Sequence, residues 1–165
     1  MKFVTMKLRD RGLTPRGMKR AFNAASKAAW YLVAKYFHEY YRKARFTEEH
    51  AREAGYAARK GELIPRGSKA FQRSYTGRKL RMKHHTRPLE FSGETKEAVK
   101  QASITSTSKG GKAAYAGASK FNFRHPKSKI RMSEEFSRIT KREAQELGEY
   151  YDEQLDIKLA ELNKI

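Results

Sequence analysis

The segment TPRGMKRAFNAASKAAWYLVAKYFHEYYRKAR, Thr14 to Arg45, decides the fold. Thr14 can accept a hydrogen bond from the free amides of a helix start, and Pro15 then stands at the first helical position, where a missing N–H is harmless. Phe22, Ala25, Ala29, Val33, Tyr36 and Tyr40 recur at spacings of three and four, and Trp30, Phe37 and Tyr41 widen the stripe. That period is the helical one, so the spacing predicts a long amphipathic helix over 15–45.

Outward from this helix the pattern changes. Thr47 followed by Glu48 and Glu49 marks a second helix start, because acids suit its positive end, and residues 48–60 read as helix up to Gly61. Pro65-Arg66-Gly67 opens a basic segment, 61–93, which reads as mostly extended or irregular with a helical turn around Ala70 to Lys79. Ser92 can cap a short helix over 94–101. Ser103-Ile104-Thr105-Ser106-Thr107 is a β-type run, Lys109 to Lys112 reads as the turn, and Ala113 to Ser119 as the returning strand. Phe121 to Pro126 reads as a loop with two exposed or docking aromatics. Ser133, with Glu134 and Glu135 behind it, starts the last helix, and Phe136, Ile139, Leu147, Tyr151, Leu155, Leu159 and Leu162 keep the helical spacing. About 30 helical residues would span ~45 Å, a length that calls for a second partner, either the first helix or a neighbouring subunit. At the other end, Val4, Met6 and Leu8 alternate with Thr5 and Lys7 as in a short strand. The expectation is one α+β domain over 1–165, with long N-terminal and C-terminal helices packed on a small antiparallel β-sheet. It carries a basic extended segment, 61–93, and an acidic C-terminal helix, 133–162.

The formal net charge is +19, far more than solubility requires, and it is unevenly placed. Residues 1–90 carry +16, residues 91–132 carry +7 and residues 133–165 carry −4. A field of this size attracts polyanions, nucleic acid above all. A basic body with an acidic end also suits head-to-tail contact between identical subunits. There is no cysteine, which excludes disulfides and thiolate zinc sites and agrees with a reducing cytoplasm. No apolar run approaches the ~20 residues of a membrane span, and MKFVTMKLRD lacks the apolar core of a signal peptide. The expectation is a protein made in the cytoplasm, without a membrane partner.

No constellation of catalytic residues stands out. His84-His85 are adjacent, so they face different ways on a helix or strand, and no carboxylate cluster completes a metal site. GxSxG, HExxH and the GxxxxGK[ST] phosphate loop are absent. A nuclease would need clustered acids for its metal, and the basic body has few. Enzyme activity, metal and cofactor are therefore not expected. The informative cluster is basic and aromatic. Arg73, Arg78, Lys79, Arg81, Lys83 and Arg87 fall within fifteen residues, with Tyr75 and the two histidines among them. Such cations neutralise phosphates without reading sequence, and aromatics can stack on bases. The segment closes on Pro88-Leu89-Glu90-Phe91-Ser92-Gly93, a packed turn of a kind that flexible tails lack, so its charge is expected to be held in place.

The same residues carry a resemblance. Tyr75-x-x-Arg78-Lys79, His85, Pro88-Leu89 and Phe91-Ser92-Gly93 leading into Ala98-Val99 resemble the virion-morphogenesis and tail-completion proteins of tailed bacteriophages, including the Mu-like type. Phe123-Arg124-His125-Pro126, followed by Met132-Ser133-Glu134-Glu135-Phe136, is similar to that family's loop and closing helix. The likeness covers residues 47–162. It implies a non-enzymatic structural subunit of the head–tail junction, located in the virion. It further implies a homo-oligomeric ring, commonly a hexamer, around the DNA passage, with neighbouring neck, connector and tail proteins as partners and double-stranded DNA in the channel. The competing expectation is a stand-alone nucleic-acid-binding protein, RNA- or ribosome-associated, which would stay monomeric.

Overall fold

The computed structural model describes residues 14–122 and 130–162. Helix α1 spans Pro15–Tyr36, and the Oγ1 of Thr14 accepts the Gly17 amide at 3.1 Å. A π-helical turn, Phe37–Tyr41, joins it to α2, Arg42–Ala44, so the long first helix exists over nearly its expected length. The wide turn shifts the phase of the stripe, and Tyr41, Arg42, Arg45 and Phe46 are all buried after it. Then follow α3 (Glu48–Glu53), α4 (Lys69–Arg73), α5 (Tyr75–Lys83), α6 (Glu94–Ala98), β1 (Ser103–Thr107), β2 (Gly110–Ala114), a 3₁₀ helix (Ala116–Asn122), α7 (Met132–Ser137) and α8 (Lys141–Leu162).

The class is α+β, with long N-terminal and C-terminal helices and a small antiparallel sheet of two strands. Helix α1 packs along α8 and under the hairpin. The strands pair Ser103 with Ala114, Thr105 with Lys112 and Thr107 with Gly110. Gly111 lies directly on α1, where a Cβ would stand 2.3 Å from the Trp30 carbonyl oxygen. Ser26 donates to the Ser108 carbonyl at 2.7 Å and bonds the Tyr151 hydroxyl at 2.8 Å, tying α1, the hairpin tip and α8 together. Beside this junction Val33, Tyr41 and Leu147 form one apolar cluster with Trp30, Tyr36 and Tyr150. A second cluster joins Phe46, Leu89, Val99, Phe121 and Phe136.

Several local expectations are corrected. The second helix ends at Glu53 rather than near Gly61. Gly55 turns left-handed (φ 62°), and Arg138 donates to the Ala54 and Gly55 carbonyls at 2.9 and 2.8 Å. The segment 61–93 is not mainly extended, since α4 and α5 fill its middle. Gly93, not Ser92, stands at the cap of α6. The hairpin turn falls at Ser108-Lys109, which puts both glycines 110 and 111 inside β2, and the chain beyond Tyr115 is 3₁₀ helix rather than strand. Phe121 is 2 % exposed and belongs to the core, not to an exposed loop. The expected N-terminal strand and Phe123 to Pro126 lie outside the described residues.

The closing helix is two helices, not one. The chain breaks at Arg138–Thr140, and α8 restarts with a reciprocal cap. The Glu143 amide donates to Thr140 Oγ1 at 3.2 Å, and the Thr140 amide donates to Glu143 Oε2 at 3.0 Å. The same Glu143 carboxylate accepts from Arg45 Nη1 at 2.5 Å and Nη2 at 3.0 Å, with Arg45 0 % and Glu143 1 % exposed. One buried carboxylate therefore starts α8 and holds it to the end of the first helical rod. Glu135 in α7 is likewise buried and paired with Arg59, rather than being only an acid at a helix start. No helix among the described residues is long and apolar enough to cross a membrane.

Candidate nucleic-acid or partner interface

The basic segment is built by two serines. Ser68 accepts the Phe71 amide at 3.1 Å and starts α4. Ser74 does two things at one corner: it donates to the Phe71 carbonyl at 2.6 Å, closing α4, and accepts the Gly77 amide at 3.0 Å, starting α5. Local side-chain bonds of this kind compete well with an extended chain, and that is why the segment is helical. Ser74, Thr76, Gly77 and Lys79 turn inward, and Arg78, Arg81, Met82 and Lys83 face solvent, with Arg73 exposed just upstream.

The six expected cations thus divide. Arg73, Arg78, Arg81 and Lys83 are exposed, and none makes a salt bridge among the described residues. Arg87 is exposed but pairs with Glu90 at 3.7 Å. Lys79 is the correction. It is 4 % exposed, and its ammonium donates to the Arg87 carbonyl, so it faces the interior rather than a partner. Burial, and next the Arg59 guanidinium, push its pKa down to about 8. This cation braces the turn, and the other five are exposed.

The turn after α5 is anchored at several points. His84 ends the helix in the left-handed region (φ 57°). Pro88 is buried, and Leu89, also left-handed (φ 53°), inserts into the lower core at 7 % exposure. A leucine held there stores roughly 1–2 kcal/mol of backbone strain, which the burial of its side chain offsets. Glu90 is 9 % exposed and lies within 4.0 Å of His85, Arg87 and Lys96. His85 is half-buried and its pKa is lowered by burial and then by Lys79, so the His84-His85 pair serves the turn. Phe91 is half-buried and stacks on Tyr75 with 6.0 Å between ring centroids, and the Lys83 ammonium stands 5.8 Å from the Phe91 ring. Ser92 is exposed, and Gly93 has φ 90°. The structure therefore brings Lys83, Tyr75 and Phe91 together, leaves Arg78 and Arg81 exposed along the same helix, and uses Pro88-Leu89 to fasten the turn that follows.

No group of His, Asp and Glu among the described residues could hold a metal ion. The residues that sequence reasoning missed are structural and lie outside this segment, where α8 meets the end of the first helical rod. Thr140-x-x-Glu143 is a capping-box signature that could have been read directly. The pairing of Arg45 with Glu143, 98 residues apart, has no local signal. Comparison with family models, with curated proteins and with solved structures finds no match to this chain.

Proposed function

We propose that the chain is a structural subunit of the head–tail junction of a tailed bacteriophage, acting in the virion as part of a ring around the DNA passage. The observation that supports this most is the set of exposed cations Arg73, Arg78, Arg81 and Lys83. These cations are exposed and without salt bridges among the described residues; Arg73 ends α4, and the other three sit on α5, which buried Ser74, Lys79 and Leu89 hold in place. A fixed, sequence-neutral cationic surface fits a channel in which DNA must slide, because a diffuse field attracts phosphates without gripping a footprint. The same cations would also serve an acidic neighbouring ring. The resemblance in Tyr75 to Val99 points the same way.

Native mass spectrometry of the chain, alone and with connector or tail-tube proteins, tests the reading. A closed homo-oligomer, hexamer favoured, or a ring formed on the connector is expected. A strict monomer that takes up RNA tightly, with steep salt dependence and no response to connector proteins, would establish the stand-alone nucleic-acid-binding alternative. A sequence-specific duplex complex of the monomer would also count against a channel role.

A further inference from the structure

Helices α1 and α8 lie against each other but carry opposite charge on surfaces that do not meet. Helix α1 holds five cations and no acid. Along its outer side Arg16, Arg20, Ala24, Lys27 and Tyr31 follow one another at helical spacing, and all are exposed. Ala24, Lys27 and Tyr31 also line an open groove of about 470 Å³, shared with Ala28, Leu32, Ser106 and, from α8 of the same chain, Lys158. Helix α8 holds seven acids against three cations. Its outer side presents Glu149, Asp152, Glu153 and Asp156, all exposed at spacings of three, one and three. Among the described residues, no salt bridge reaches Arg16, Arg20, Lys27 or any of these four carboxylates. The contact between the helices is aromatic instead, with Trp30 stacked on Tyr151 at 4.4 Å and Tyr36 on Tyr150 at 4.6 Å.

We infer that the outer face of α1, with its groove, is the docking surface for α8 of a second copy of this chain. This inference rests on the ring reading and names the faces that would close it. The charge pattern selects the occupant. The α1 stripe runs ~22 Å and the acidic stripe of α8 ~11 Å, so the acidic stripe fits within the length of the basic one and opposes it in sign. A polyanion could cover α1, but it would leave the acidic face of α8 repelled. Between Lys27 and Lys158 the groove is floored by Ala24, Ala28, Tyr31 and Leu32, a surface that suits an apolar side chain with an acid beside it better than a phosphate. The exposed Ile157 beside Asp156 gives the arriving helix an apolar side chain for that groove. Because the two charged stripes are separate exposed surfaces of the packed helix pair, each copy offers one donor face and one acceptor face, the arrangement from which rings are made.

The test is sedimentation velocity on the full chain and on two charge-reversed variants, Arg20→Glu/Lys27→Glu and Asp152→Lys/Asp156→Lys. All four positions are exposed, and circular dichroism checks that folding is retained. Wild type should self-associate, and more weakly at about 0.5 M than at about 0.05 M salt. Each variant alone should lose association by more than ~10-fold, and an equal mixture of the two should regain it, because every mixed contact again joins opposite charges. Three results would overturn the inference: a wild type that is monomeric throughout, variants that associate as wild type does, or an α1 variant that loses only retention of duplex DNA. A wild-type ring left intact in both variants would reject these faces while leaving the ring reading standing.

Discussion

Replacing Glu143 with Gln should be among the most damaging single changes in the chain. Gln keeps the volume and can still cap α8, so the perturbation isolates the charge. In the fold, Arg45 is 0 % exposed, and its guanidinium reaches both oxygens of Glu143 at 2.5 and 3.0 Å. Its other neighbours are the Phe37 ring, 4.9 Å away, and His50, whose nearer ring nitrogen lies 3.1 Å off; neither supplies negative charge. Breaking a buried pair by removing one partner costs ~3–5 kcal/mol, because the other charge stays buried without compensation. Domains have ~5–15 kcal/mol in all, so the variant should fold but with a much reduced margin. With a urea dependence of ~1–3 kcal/mol per molar, the unfolding midpoint should fall by about 1–5 M. The companion Arg45→Met/Glu143→Leu removes both charges and should recover most of the loss, with a coupling above ~2 kcal/mol between the sites. Urea unfolding followed by far-ultraviolet circular dichroism reads both. A Gln variant within ~1 kcal/mol of wild type, or a double variant as damaged as the two single losses added together, would refute the assignment of Arg45–Glu143 as a buried, charge-compensated clamp.

Three further outcomes are expected. Gly111→Ala should lift the hairpin from α1, since the new Cβ would stand 2.3 Å from the Trp30 carbonyl oxygen; a loss of ~1–3 kcal/mol is expected in thermal or urea unfolding, and an unchanged midpoint would mean the strand can shift freely. Arg78→Gln, Arg81→Gln and Lys83→Gln together should leave stability within ~0.5 kcal/mol and weaken duplex DNA retention, but Lys79→Met should cost ~1–3 kcal/mol by removing the bond from a buried ammonium to the Arg87 carbonyl, and the reverse ranking would mean the two classes of cation were misassigned. Burial, and then the Arg45 guanidinium, lower the pKa of His50 from 6.5, so the unfolded chain takes up a proton that the fold resists. Stability is therefore fully present above that value and is lost as pH falls through it toward the lower folded pKa. Unfolding midpoints at about pH 7.5 and about pH 5.5 should show this loss, and His50→Gln should flatten it, with a residual slope from His38 and His85, whose values are also lowered. Equal slopes in variant and wild type would remove His50 from the linkage.

What could be read in advance depended on whether the signal was local. The stripe from Phe22 to Tyr40 is a property of consecutive turns, and the first helix follows it across the π turn. Ser103 to Thr107 became a strand for the same reason. The closing helix shows the limit. Apolar spacing runs past Arg138–Thr140 with little interruption, yet Arg138 is drawn to the Ala54 and Gly55 carbonyls, and Thr140 caps a new start. The cap was legible in Thr140-x-x-Glu143, but the competing use of Arg138 was not. Within the basic segment, composition could identify six cations without ranking them, because burial of Lys79 depends on where the Arg87 carbonyl comes to rest, eight residues away.

The sequence by itself determined the class, the two long helices, the hairpin and the concentration of positive charge, since each follows from period, capping residues or composition over a few neighbouring turns. Only the tertiary structure decided which charges are available. It buried Lys79, Arg45, Glu143 and Glu135, and it left Arg73, Arg78, Arg81 and Lys83 without salt bridges among the described residues. The physical reason is that a charge is fixed by its partner and its access to water, and those partners arrive from as far as 98 residues along the chain. Charge in a sequence states the total field. The fold assigns part of that charge to holding the molecule together and leaves the remainder to meet other molecules.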